Sequence, residues 1–168
     1  QLLENSKNDL LEENKKKFND ACKRQGINLN QLLEYIESWK ETNLLVVGDT
    51  ILDQYAGCEA IGMSAEAPVL VVRELQKKNY VGGASVVASH IKALGANCFF
   101  LSVIGKDDEA KIIKTKLLEQ NIFCEFIEDT SRHTTFKKRY LVENQKLFRV
   151  SKLNDHILDR DIEDELIK

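Results

Sequence analysis

One proline, Pro68, and one methionine, Met63, are all that 168 residues contain of either type. No apolar run approaches the roughly 20 residues needed to cross a bilayer, and the opening QLLENSKNDL has no secretory signal. Basic residues are not in excess: the net charge is −3 and the isoelectric point near 5.7, which argues against nucleic acid as the main partner. Cys22, Cys58, Cys98 and Cys124 are widely separated and form no C-x-x-C pair. That excludes a zinc-finger spacing and leaves reduced thiols of a cytosolic protein as the simplest reading. His90, His133 and His156 have no ligand spacing and read as structural or surface residues, so no metal site is expected. Neither G-x-G-x-x-G nor G-x-x-x-x-G-K-[ST] occurs, so a dinucleotide fingerprint and a P-loop are both missing. The sequence does not begin with methionine, as expected of a piece of a longer chain.

What is present is a globular balance of 43% hydrophobic and 30% charged residues, enough for one domain or a domain with an appendage. Residues 1–42 read as two helices. The first carries Leu3, Leu10, Leu11, Phe18 and Cys22 and ends at Gly26. The second places Leu29, Leu32, Leu33, Ile36 and Trp39 on one face behind a capping-box pair, Asn28 and Gln31. Leu44 to Val47 reads as a strand buried on both faces. Shorter strands follow over about 57–62 and 68–74, with Pro68 at the first position of an edge strand. A helix over 84–94, a strand from Cys98 to Ile104, a helix from Asp107 to Gln120 and a strand from Ile122 to Ile127 continue the chain. Thr134 to Leu141 and Lys146 to Val150 form a hairpin joined at Glu143-Asn144-Gln145, and a last helix starts at Asp159. Strands alternating with helices predict a parallel α/β sheet. The two hairpin regions interrupt it and can pair as a separate antiparallel layer.

Several residues are candidates for chemistry. Asp49 and Asp53 fall just past the end of the first strand, where open α/β sheets bind ligands. Carboxylates there accept hydrogen bonds from sugar hydroxyls; alternatively Asp49 caps a turn and Asp53 is solvated. Gly82-Gly83 opens the helix at 84, either as a simple turn or as a close backbone approach to a ligand. Lys137 and Arg139 share one face of an extended segment, Lys138 takes the other, and Arg149 lies on the next strand. Converging cations there suit a phosphate, with arginine capable of a bidentate grip, or they guard an edge strand against aggregation.

Taken in order, VVGDTILDQY, MSAEAPVLVV, VGGASVVASHIKALGA, SVIGKDDEA and TTFKKRYLVENQKLFRV resemble the ribokinase-like (PfkB) carbohydrate kinases. Within that family the likeness is to the heptose 7-phosphate kinases of ADP-heptose synthesis. The ordered string is specific; each motif alone is not. The resemblance starts near Leu29 and leaves residues 1–25 without a role. It implies a doubly wound, mainly parallel α/β sheet with a small β lid over the sugar. Residues 1–42 would be a helical extension and 43–168 the N-terminal portion of a kinase domain, with lid strands at about 57–74 and 134–151.

The implied activity is transfer of the ATP γ-phosphoryl group to a sugar hydroxyl with Mg²⁺, both held mainly by parts outside this chain. A sugar phosphate substrate, a cytoplasmic location and a homodimer formed through the lid are implied too, with neither a nucleic-acid nor a membrane partner. Asp49 matches the family's sugar-binding acid, and Gly82 and Gly83 its glycine pair beside the sugar. Asp53, Lys137, Arg139 and Arg149 match positions near the substrate or lid. The family's G-A-G-D motif, which carries the catalytic base, is not in this sequence, so no catalytic residue is assigned and the chain alone is expected to be inactive. Val86 stands where the family usually has asparagine, and Phe136 where it commonly has threonine. These departures leave open another sugar or nucleoside as substrate, and the missing nucleotide half leaves open a non-catalytic sugar-binding or scaffold protein.

Overall fold

The computed structural model describes residues 2–143 and 145–168, with side chains from Leu11 onward; the expected roles of Leu3, Leu10 and Asn144 lie outside the described residues. Contacts divide the chain into two compact units, 1–42 and 43–168. In the first, α1 (Leu2–Gln25) ends at Gly26, whose φ of 65° lets the chain turn, and α2 (Leu29–Ser38) follows. The Asn28 side chain accepts from Asn30 N–H at 2.9 Å, which caps α2. The apolar stripe of α2 buries no residue fully.

The second unit holds two sheets. Strands β1 (Asn43–Val47), β4 (Asn97–Ile104) and β5 (Phe123–Glu128) form a parallel sheet in the order β1-β4-β5. Helices α3 (Ala84–Ala93) and α4 (Asp108–Glu119) are the crossovers between its strands. Inward residues alternate along β4, so Cys98, Phe100, Ser102 and Ile104 are buried while Phe99 between them is exposed. Phe100 packs with Leu52, Ala88, Cys98, Ile113, Leu117 and Ile122, and meets Phe126 edge-to-face at 5.9 Å. Burial of each large side chain in that cluster contributes about 1.5–3 kcal/mol.

β1 departs from the expectation. Leu45 is 65% exposed and Val47 56%, and no residue of this strand is fully buried. The register puts Leu45 and Val47 on the same side as Phe99 and Phe123, whose rings stack at 5.6 Å. Of the helices in this unit, only α5 (Arg160–Ile167), beside β5, approaches that face.

The other sheet, β3-β2-β6-β7, is mixed and not the separate antiparallel layer expected from its hairpins. β2 (Thr50–Met63) and β3 (Leu70–Gly83) form one long antiparallel hairpin, and β6 (Phe136–Val142) with β7 (Gln145–Lys152) another. The two are joined by a parallel pairing of β2 with β6 from Leu52 to Cys58. β2 and β3 run 14 residues each, far beyond the expected 57–62 and 68–74. The inward positions of β2 include Thr50 and Gln54, which are polar yet buried and so break the apolar alternation that would reveal a strand. Pro68 lies in the turn ahead of β3, where Ser64 N–H donates to the Val69 carbonyl at 2.9 Å, and not at the strand's first position.

Candidate sugar and phosphate face

β1 ends at Val47 and β2 begins at Thr50, so Gly48 and Asp49 are the whole joint between the two sheets. Ala84 N–H, at the start of α3, donates to the Asp49 carbonyl at 2.9 Å. The Asp49 side chain is exposed, at the carboxyl end of β1. Beside it Gly83 adopts φ 63°, ψ −139°, a conformation open essentially to glycine, and a Cβ there would overlap the Asp49 carbonyl oxygen. A Cβ on Gly82 would overlap Asp53 Oδ2. The glycine pair therefore lets β3 pass directly against both acids.

Asp53 is not in a loop after β1 but on β2, and the ladder sets its neighbours. Across the sheet one row reads Tyr80, Asp53, Lys137, Ser151; the next reads Lys78, Tyr55, Arg139, Arg149. Directly opposed residues point to the same side, so both rows share one face. On it the Arg139 guanidinium donates to Asp53 Oδ1, both groups being about one-fifth exposed. That hydrogen bond outweighs partial burial and pushes the guanidinium further up, so it stays cationic. The same guanidinium lies 5.1 Å from the Tyr55 ring centroid, and Tyr55 meets Tyr80 edge-to-face at 5.6 Å. Asp53 and Arg139 are thus one ion pair on this face. Lys137 and Arg149 enter no ion pair recorded among the described residues. Ser151 Oγ is buried with no hydrogen-bond partner among the described residues.

Lys138 is on the opposite face, paired with Glu74 at 2.7 Å and 4.7 Å above the Tyr140 ring. The Glu74 hydrogen bond raises its ammonium above the ordinary lysine range. Lys78, Tyr80, Tyr55 and Ser151 were not signalled by the sequence, because only long-range strand pairing brings them into these rows.

The root of β6 is fastened to the parallel sheet. Asp107 caps α4 through Ala110 N–H at 3.0 Å and accepts Thr134 N–H at 2.8 Å, while Gly105 N–H donates to Thr134 Oγ1 at 3.0 Å. Burial alone would raise the Asp107 carboxyl, but the Thr134 and Ala110 hydrogen bonds outweigh it and hold it below the usual range. Asp129, 5% exposed, is held down first by Ser131 and also by Arg132. The four cysteines are free; burial, with the neighbouring Cys98, pushes the Cys124 thiol up to about 11. His90, His133 and His156 are exposed. Among the described residues no group of three or more His, Cys, Asp or Glu side chains is arranged to hold a metal ion, and no helix is long and apolar enough to cross a membrane.

A parallel sheet with crossover helices, carrying a second sheet rooted at the carboxyl end of its first strand, defines an α/β fold of the ribokinase-like class. Solved structures share it: phosphofructokinase-2 from Escherichia coli superposes with a TM-score of 0.56 at 18% identity, over 74% of this chain and 38% of that one. A carbohydrate kinase from Agrobacterium tumefaciens gives 0.55 at 15%, over 72% and 36%. The profile of the pfkB family carbohydrate kinases matches residues 41–163, and the chain belongs to that family. It is similar to the bifunctional protein HldE of Campylobacter jejuni serotype O:2, at 35% identity over 81% of this chain and 28% of the relative. To the D-beta-D-heptose 7-phosphate kinase of Bordetella bronchiseptica the identity is 39%, over 64% of this chain and 34% of the relative. The chain therefore spans about a third or less of the length of these curated relatives.

Proposed function

We propose that this chain is the sugar-binding and lid part of an ATP-dependent carbohydrate kinase that phosphorylates a heptose 7-phosphate at its anomeric hydroxyl, in the synthesis of ADP-heptose. The observation that carries this reading is the two-row face, which sets Asp53 beside the glycine pair and gathers Lys78, Lys137, Arg139 and Arg149 on the same side. The name of the Bordetella bronchiseptica relative, D-beta-D-heptose 7-phosphate kinase, supports a sugar already bearing a phosphate. Asp49 would accept hydrogen bonds from sugar hydroxyls. Asp53, locked to Arg139, would do so while keeping that cation aimed across the face. The phosphate would meet Lys137 and Arg149, with Arg139 adding charge.

ATP and Mg²⁺ belong to the same reading. They supply the phosphoryl group and neutralise its charge, and the described residues offer no cluster suited to the metal. The chain's own contribution is to bind and orient the sugar, and no proton acceptor for the attacking hydroxyl is assigned among its residues. Residues 1–168 alone are expected to show no sugar-dependent ATP turnover. The enzyme would work in the cytoplasm, as a homodimer joined through the lid, whose far end exposes Ile61, Met63, Leu70 and Leu75.

The test uses the full-length protein that carries this chain. Arg139→Ala and Lys137→Ala should each raise the KM for the phosphorylated sugar about ten- to a hundredfold, the worth of one charge-assisted hydrogen bond. The KM for the unphosphorylated analogue should barely change in Lys137→Ala. Equal losses on both sugars for Lys137→Ala would make the cationic face a guarded strand and nothing more. A second reading, another sugar or nucleoside as substrate, rests on Val86, an apolar side chain in the first turn of α3 beside the glycine pair. Preference for such a substrate in the same assay would establish it.

A further inference from the structure

Three hydroxyl side chains are buried where the two sheets meet. Thr50 is 3% exposed, Ser85 0% and Ser102 1%. They come from three elements: the first residue of β2, the first turn of α3 and the middle of β4. Thr50 Oγ1 and Ser85 Oγ are hydrogen-bonded, and Thr50 N–H donates to Ser102 Oγ at 3.2 Å. Ser85 is itself tied into its helix, its carbonyl accepting from Ser89 Oγ at 2.8 Å. If filling space were the only requirement, small apolar residues would serve without the desolvation cost of three hydroxyls.

Their placement shows what they add. The joint Gly48–Asp49 lies between β1 and β2, and hydrogen bonds on either side hold it. Gly48 N–H donates to the Leu101 carbonyl at 3.2 Å, and the Asp49 carbonyl accepts Ala84 N–H at 2.9 Å. The next residue, Thr50, is then held at both its backbone and its side chain. A two-residue joint fixed on both sides leaves the Asp49 side chain only its own torsions to vary.

We propose that Thr50, Ser85 and Ser102 are positioning residues that fix the Asp49 carboxylate relative to the glycine pair, and so determine how tightly the sugar is held. This rests on the reading of Asp49 as a sugar ligand. The hydroxyl pair between Thr50 and Ser85 is the adjustable link, since removing it leaves the Thr50 N–H bond to Ser102 in place.

Steady-state kinetics of the full-length protein carrying Thr50→Val, Thr50→Ser, Ser85→Ala or Asp49→Asn test it. Thr50→Val keeps the shape and loses the hydroxyl; the KM for the sugar phosphate should rise about tenfold with the KM for ATP within about twofold of the parent. Thr50→Ser should restore the sugar KM, and Ser85→Ala should reproduce the Thr50→Val profile if the valine variant does not fold. A lowered melting temperature with unchanged sugar KM would overturn the proposal, as would an equal rise in both KM values. If Asp49→Asn raises the sugar KM and Thr50→Val does not, positioning fails while the sugar site stands. If Asp49→Asn itself leaves the sugar KM unchanged, the sugar reading of Asp49 fails and this proposal with it.

Discussion

Replacement of Gly83 by alanine should be far more costly than replacement of its neighbour Gly82. At Gly83 the backbone sits at φ 63°, ψ −139°, and holding a residue with a Cβ there costs roughly 1–3 kcal/mol. The added Cβ also overlaps the Asp49 carbonyl oxygen, a backbone atom already engaged by Ala84 N–H. It cannot swing aside, and such overpacking costs about 1–3 kcal/mol more. The sum, roughly 2–6 kcal/mol, approaches the whole stability of an ordinary domain. At Gly82 the new Cβ meets Asp53 Oδ2, the end of a side chain that can rotate. The loss there is mainly the partly exposed pair with Arg139, about 1 kcal/mol or less. In urea unfolding followed by circular dichroism, with a slope of about 1–3 kcal/mol per molar, Gly83→Ala should move the midpoint down by about 1–3 M. Gly82→Ala should move it by well under 1 M. A midpoint for Gly83→Ala within about 0.3 M of the parent, or a larger shift for Gly82→Ala, would refute the close-approach explanation of the pair.

Acid should loosen the fold through Asp107 and Asp129. Both carboxyls lie below their ordinary value in the folded chain, so the unfolded chain binds more protons; their stabilisation is complete above about pH 4 and is lost as pH falls through the lower folded values. Asp129→Asn should flatten the decline of the urea midpoint below pH 4, and an unchanged decline would show that other groups govern it. Light scattering of the full-length protein should give a dimer that Ile61→Lys with Leu75→Lys converts to a monomer, since both side chains are exposed on the β2–β3 hairpin. A dimer unaffected by the pair would move the interface elsewhere.

The parallel sheet was legible because its signals are local. β4 begins at Asn97 and is followed by Gly105, Asp107 caps α4, and Asp129 follows β5, so residues that cap or turn the chain mark these elements, and their apolar periods are intact. The mixed sheet was only partly legible. Thr50 and Gln54 occupy inward positions of β2, and Gln76, Lys77, Lys78 and Asn79 fill a stretch of β3 with no apolar residue at all. Such residues form strand because their neighbours across the ladder do, a condition with no local trace. Asp49, Gly82 and Gly83 were visible as candidates, and Lys137 and Arg139 followed from the two-residue period. Lys78 and Ser151 did not, since they join the face through pairings 23 and 14 residues away, Tyr55 with Lys78 and Lys137 with Ser151. The buried hydroxyls are harder still: a threonine and two serines read as surface residues until the partners that satisfy them, 35 and 52 positions apart, are known.

The distribution of fixed and free parts in the mixed sheet follows from the same bonds. At its root the mixed sheet is held by Leu52 N–H to the Thr135 carbonyl at 2.9 Å, by Thr134 to Asp107 and Gly105, and by Lys152 to Glu109 at 2.9 Å. Past Cys58, β2 loses its pairing with β6 and continues with β3 alone, and the register shifts twice, at Gly57/Cys58 and at Ala60/Gly62. A two-stranded ribbon with interrupted register has little stability of its own. The ladder is therefore stiff where Asp53, Arg139 and the glycine pair lie and compliant beyond them. The cationic face keeps its geometry whatever the exposed tip does, because the groups that define it belong to the four-stranded part of the sheet.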